Sequence, residues 1–156
     1  MNIIKVSKGE IIQRSGDLNT KIYFVNTGLL RSYTIDDKGK EYIYQFAPEK
    51  WIIADLSSPT EPCQLFIDAL ENSEITVIQK DPQISFVDEV KLKNRMKVLQ
   101  NRIIMLMSSS ALERYIHFQE TYPNIVLRTT QKMVASYLGI TPEALSRVRH
   151  KISQTK

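Results

Sequence analysis

The sequence predicts an α+β fold: an N-terminal antiparallel β-roll of jelly-roll type, one long helix, and a C-terminal helical domain built on a helix-turn-helix. Three observations carry that expectation. Short alternating runs separated by turn residues fill the first half. The stretch from Asp88 to Ser108 contains no Gly or Pro. Near the end, "QKMVASYLGITPEALSRVRHK" (residues 131–151) holds two helix patterns separated by three residues around a glycine.

Within the roll, Ile22 to Ile35 alternates, with Leu29, Arg31, Tyr33 and Ile35 on one face and Gly28 marking a turn inside the run. "IDDKGKEYIYQF" reads as a hairpin: Asp36-Asp37-Lys38-Gly39 supplies the turn, and Tyr42, Tyr44 and Phe46 alternate after it. Strand-like runs follow at Lys50–Ala54, Gln64–Leu70 and Glu74–Gln79. Lys8-Gly9, Ser15-Gly16-Asp17 and "SSPTEPC" break the pattern between them. Regularly spaced short strands of this kind close into a small barrel or roll. Trp51 is expected as a core anchor. The expected boundaries are 1–87 for the roll, 88–109 for the long helix and 110–156 for the helix-turn-helix domain.

In the long helix, Leu92, Met96, Leu99, Ile103 and Leu106 recur in steps of 4, 3, 4 and 3, a heptad seam over about two repeats. Lys91, Lys93, Arg95, Lys97 and Arg102 flank it. An ordinary core-facing helix shows the same spacing. The helix is long for the β body it could cover, which favours a seam with a second copy, a homodimer. Ser110-Ala111-Leu112-Glu113 is a capping-box pattern, so a second helix starts there and runs to about Thr121. Tyr122-Pro123-Asn124 ends it, and a short loop leads on.

Thr141-Pro142-Glu143 is a helix start: a capping hydroxyl, a proline where no N–H is needed, and an acid at the positive helix end. Gly139 stands where the preceding helix must stop in a left-handed turn. Val134, Ala135 and Leu138 form the inner edge of the first helix; Leu145, Val148 and Ile152 share one face of the second. Ala135 is small enough to let the two helices cross close to their turn. The opposite face of the second helix carries Glu143, Arg147, His150 and Gln154, flanked by Ser146 and Lys151. These are donors and acceptors suited to base edges, arginine for guanine and glutamate for the cytosine amino group. Thr141, Ser146, Lys132, Arg149, Lys151 and the first amides of the helix suit phosphates.

Charge agrees with that reading. Residues 123–156 hold six basic residues and one acid, a net +5, while the rest of the chain nets −1. The excess is gathered where a polyanion would be met. The 156 residues suffice for one good core, and 42% hydrophobic with 24% charged residues is ordinary for a globular protein. No apolar run approaches the roughly 20 residues of a membrane span, and no signal-peptide pattern leads the chain. One cysteine, Cys63, fits a reducing cytoplasm. Both histidines, His117 and His150, fall in helical segments, so the roll lacks the clustered ligands of a metal enzyme. No phosphate loop, nucleophile elbow or dinucleotide fingerprint is present, so neither catalysis nor a cofactor is expected.

The chain resembles the Crp/Fnr superfamily of bacterial transcription regulators over nearly its whole length. "KGEIIQRSGD", "IYFVNTGLLRSYTIDDKGKE" and "ALENSEITVIQK" resemble the cyclic-nucleotide-binding roll. The 88–108 helix resembles the dimerisation helix, and "VASYLGITPEALSRVRHKI" the DNA-reading unit. The resemblance implies a homodimer on double-stranded DNA, with Glu143 and Arg147 reading bases and Thr141 near phosphate. RNA polymerase and an unknown small-molecule effector are further candidate partners. Where the family has Gly-Glu and then Arg-Ser around the cyclic phosphate, this chain has Ala54-Asp55 and Cys63-Gln64. Without that arginine no cation balances a buried phosphodiester, so cyclic AMP binding of the usual kind is not expected. Asp55, Cys63, Gln64 and Tyr44 are the candidate lining of an effector pocket, Tyr44 also serving as a cross-strand packing residue. Cys63 is a redox candidate only if its pKa is depressed. Two further departures are expected: little of the family's N-terminal helical segment, and no β-hairpin wing after the recognition helix. The competing reading is a small-molecule-sensing or protein-interaction module that does not bind DNA.

Overall fold

The computed structural model describes residues 2–80 and 89–154. Its contacts divide the chain into two units, Met1–Gln83 and Ile84–Lys156, so the long helix groups with the C-terminal helices.

The first unit is two four-stranded antiparallel sheets. One has the order β1 (Asn2–Val6), β8 (Ser73–Ile78), β3 (Ile22–Thr27), β6 (Ile52–Ala54). The other has β2 (Ile11–Gln13), β7 (Phe66–Ala69), β4 (Leu30–Ile35), β5 (Glu41–Ala47). Val6, Tyr23, Val25, Ile53 and Ile75 from the first sheet pack with Leu30, Ala47, Ile67 and Ala69 from the second in one buried cluster. Burying each large apolar side chain there contributes about 1.5–3 kcal/mol.

The β4–β5 hairpin forms as its turn chemistry requires. The Asp36 carboxylate accepts from the amides of Lys38 (3.0 Å) and Lys40 (2.9 Å), and Gly39 takes a φ of 75°. At Gly28 (φ 92°) an added Cβ would collide with Ser73 Oγ, the atom that caps the Leu29 amide at 3.2 Å. That glycine is required both for its backbone and for the space.

Three expectations need correction. The strand expected over 50–54 begins only at Ile52, because Lys50 is left-handed (φ 69°) and Trp51 closes a turn onto the Pro48 carbonyl at 3.1 Å. Trp51 itself is exposed (36%), so it does not anchor the core. The loop expected before the helix-turn-helix contains a one-turn helix, Ile125–Arg128, which buries Ile125.

Sequence alternation also hid an ion cluster. Arg31 on β4 forms two parallel bonds to Asp68 on β7, Nε to Oδ1 and Nη2 to Oδ2, both 2.9 Å. Its remaining nitrogen Nη1 reaches Glu41 Oε2 at 2.6 Å, and its guanidinium lies 4.2 Å from the Tyr33 ring centroid. Burial opposes the Arg31 charge, but the bonds to Asp68 and Glu41 outweigh it and its pKa is raised. Replacing Arg31 by Met strands Asp68 in a buried setting. We expect a loss of about 3 kcal/mol in urea unfolding, and a loss under 0.5 kcal/mol would show that the cluster is dispensable.

Candidate nucleic-acid interface

The second unit runs α1 (Glu89–Ser108), α2 (Ala111–Thr121), α3 (Ile125–Arg128), α4 (Gln131–Leu138) and α5 (Pro142–Gln154). Each end around the turn is closed by local chemistry. Thr130 Oγ1 accepts from the Met133 amide at 3.2 Å to start α4. Gly139 (φ 64°, ψ 33°) ends it, with Ile140 N–H on Ala135 O (3.1 Å) and Gly139 N–H on Ser136 O (3.2 Å), a Schellman pattern. Thr141 Oγ1 accepts from the Ala144 amide at 3.2 Å and starts α5.

Val134, Ala135 and Leu138 are buried, as are Leu145 and Val148 opposite them, and Ile152 is half-buried. Phe118, Tyr122 and Tyr137 form a buried aromatic cluster, their rings tilted or edge-on with centroids 5.3–5.6 Å apart. The sequence reading missed the residue that ties these helices together. Arg114 on α2 donates Nη2 to Leu106 O (2.7 Å), Nε to Ser109 O (3.0 Å) and Nη1 to Leu138 O (3.1 Å). One guanidinium therefore serves carbonyls at the C-terminal ends of both α1 and α4. A fork of donors a few residues after a helix end is the only hint the sequence offers. Arg102 stacks 4.0 Å from the Tyr137 ring centroid.

With that frame fixed, α5 presents Glu143, Ser146, Arg147, His150 and Gln154 exposed, all outside its buried stripe. Thr141, Lys132, Arg149 and Lys151 are exposed around it. The Glu143 carboxyl is held below the usual range by its own backbone amide, then by the Thr141 hydroxyl, with Arg147 adding attraction. His150 Nε2 lies 3.0 Å from Gln154 Nε2. Along α1, Met96 (61%) and Ile103 (57%) are exposed, Leu99 is half-buried, and the Leu92 side chain lies outside the described residues. Leu106 is half-buried beside Gly139, whose added Cβ would sit 3.5 Å from Leu106 Cδ2. Met105, off the seam, takes the buried position.

In the first unit, the 55–65 loop brings together three of the four candidate effector residues. Asp55 is buried, its Oδ1 accepting from Ser57 N (2.8 Å) and its Oδ2 from Gln64 N (3.0 Å) and Leu65 N (3.1 Å). Burial works against its charge, but these bonds outweigh it and the carboxyl titrates below the usual range. Lys80 Nζ ties the same loop down through Thr20 Oγ1 (2.6 Å) and Ser57 O (2.7 Å). Gln64 is exposed; Tyr44 is half-buried at the register shift of β5. The Cys63 thiol donates to Arg14 O at 2.9 Å, and burial pushes its pKa up. That is the opposite of what a redox-sensing cysteine requires. Among the described residues no three His, Cys, Asp or Glu side chains gather to hold a metal, and no helix is long and apolar enough to cross a membrane.

A two-sheet roll is followed in the same chain by a unit of capped helices that ends in a helix-turn-helix. Residues 3–89 match the cyclic nucleotide-binding domain family. The chain belongs to that family. It is 28% identical over 167 residues to electron transport regulator A of Shewanella oneidensis, spanning 92% of this chain and 65% of that protein, just under two thirds of the relative's length. The fold is shared with FixK2 from Bradyrhizobium japonicum (TM-score 0.84, 19% identical, covering 99% of this chain and 85% of that one). It is shared as well with a CRP/FNR-family transcriptional regulator from Thermus thermophilus (TM-score 0.81, 14% identical, 99% and 87% covered).

Two outcomes follow from the geometry. Arg114→Ala should cost about 2–3 kcal/mol, read by chemical unfolding, because it leaves the Leu106 and Leu138 carbonyls without their cationic donor; a change within 0.5 kcal/mol would show that these bonds do not organise the unit. Because the folded Asp55 pKa is depressed, its stabilisation is full above the unfolded value near about 4 and is lost as pH falls through the folded one. Asp55→Asn should therefore flatten the acid limb of the stability–pH curve, and an unchanged acid limb would contradict the clamp.

Proposed function

We propose that the protein is a sequence-specific DNA-binding transcription regulator that works as a homodimer. The observation that carries this reading is the exposed face of α5, where Glu143 and Arg147 stand one turn apart beside a capped helix start. Arg147 suits the paired acceptors of guanine and Glu143 the cytosine amino group, with His150 and Ser146 on neighbouring base edges. Thr141, Lys132, Arg149 and Lys151 hold phosphates and set the register. A two-fold dimer then requires an inverted repeat with half-sites about 34 Å apart. Relatives and structural neighbours that are regulators support the reading.

The α1 face supports the dimer. Met96, Ile103, Ile104 and Met107 are all exposed apolar side chains on one long helix, more than a solitary surface helix carries. RNA polymerase is the partner a regulator of this kind addresses, and no catalytic step is assigned to the chain. The roll does not take cyclic AMP in the family's usual way: the Arg-Ser positions are Cys63-Gln64, and the buried Asp55 carboxylate would repel a phosphodiester.

Selection of bound fragments from a random duplex pool tests the DNA reading. The expected outcome is an enriched inverted repeat, with Arg147→Ala weakening binding to it by about 1–3 kcal/mol and relaxing one position of the site. No enrichment at low salt would refute it. For the dimer, Ile103→Glu should sediment as a monomer where the parent chain sediments as a dimer; identical sedimentation would move the interface elsewhere.

A further inference from the structure

The last turns of α1 carry two different faces. Arg102, Met105 and Leu106 turn towards the helices of their own unit, Met105 buried and the other two half-buried. Met96, Ile103 and Met107 stand about a third of a turn round the same helix and are exposed. One helix therefore presents an inward stripe and an outward apolar stripe side by side.

The inward stripe meets the helix-turn-helix at its turn. The Arg102 guanidinium lies 4.0 Å from the Tyr137 ring centroid, and its Nη2 donates to the Tyr137 carbonyl oxygen at 3.4 Å. Tyr137 is a firm anchor, because its ring is buried against Phe118 and Tyr122. One turn further along α1, Leu106 flanks Gly139, where an added Cβ would come within 3.5 Å of Leu106 Cδ2. Tyr137 lies in the last turn of α4 and Gly139 caps it, and from there the chain turns into α5.

Two points fix a direction where one does not. Arg114 pins the last turn of α1 to the end of α4 through Leu106 O and Leu138 O, and α1 could still pivot about that point. Only Ser109 and Ser110 separate α1 from α2, and their backbone torsions would allow such a swing. Arg102 holds α1 about 6 Å further up its axis, on a ring that its own neighbours keep in place.

We infer that Arg102 is a positioning residue that sets the spacing accepted between the two half-sites of the DNA. The inference rests on the dimer proposed above, in which the outward stripe of α1 meets the partner. The separation of the two α5 helices is then only as well defined as the hold of each α4–α5 pair on its own α1. One base pair more or less moves a half-site by about 3.4 Å and turns it by about 34°. A frame locked at Tyr137 cannot follow that change, whereas one pivoting at Arg114 can. Arg102 acts through a buried side chain, so it governs spacing and leaves the reading of each base to α5.

Binding of the full chain to duplexes tests it, using the half-sites selected by the parent at their selected spacing and at one base pair shorter and longer. The parent should prefer its own spacing by about tenfold or more. Arg102→Met, which keeps the bulk and loses the charge, should narrow that preference to within about threefold, with the same half-site sequence and unchanged sedimentation. Arg102→Lys, which keeps a cation over the ring, should restore at least about fivefold. If Arg102→Met does not fold, Arg102→Gln takes its place. The inference is overturned by a parent that tolerates all three spacings, by a preference that survives in Arg102→Met, or by a lysine variant no better than the methionine one. An equal loss of affinity at all three spacings would also overturn it, since Arg102 would then serve only the fold or the overall charge. A parent that selects no inverted repeat at all would overturn the DNA reading and this inference with it.

Discussion

The C-terminal unit depends on one guanidinium. Arg114 meets carbonyl oxygens at the ends of α1 and α4 and at the Ser109 junction, all from α2. Helix C-termini leave carbonyls unpaired, and two such ends brought together concentrate partial negative charge. A planar fork with donors on three sides removes both difficulties at once, which a lysine's single ammonium could not do with the same geometry. With those ends fixed, the turn at Gly139 and the cap at Thr141 follow from local chemistry, and the exposed face of α5 inherits its direction from them.

What the sequence made legible were features whose cause is local. The capping box at Ser110 and Glu113, the left-handed stop at Gly139, the threonine cap at Thr141 and the Asp36–Gly39 turn all depend on a few neighbouring residues, and each forms where its pattern lies. The buried stripe of α5 and its exposed opposite face were readable for the same reason, since helical periodicity needs nothing beyond the helix.

What stayed hidden depends on partners distant in sequence. Arg31 finds Asp68 across 37 positions and Gln13 finds Leu65 across 52, and no spacing rule announces either. Trp51 misled because size suggests burial, whereas the left-handed Lys50 turns the chain before the strand can begin. Asp55 stood out in the sequence as an acid in the loop where the family holds a phosphate, but its bonds to its own loop emerge only once residues 57, 64 and 65 are folded around it.

The Glu143 carboxylate has a resting place: in the free chain its charge is engaged by its own helix end and the Thr141 hydroxyl. On the proposed DNA reading, that makes recognition an exchange of partners rather than the capture of an idle group. Over a wrong sequence the carboxylate would keep those partners, which tempers the repulsion that Glu143, the one acid of residues 123–156, would meet along a duplex. Over a cytosine it trades one set of donors for another at little cost, and selectivity arises at the moment of stopping rather than throughout the search.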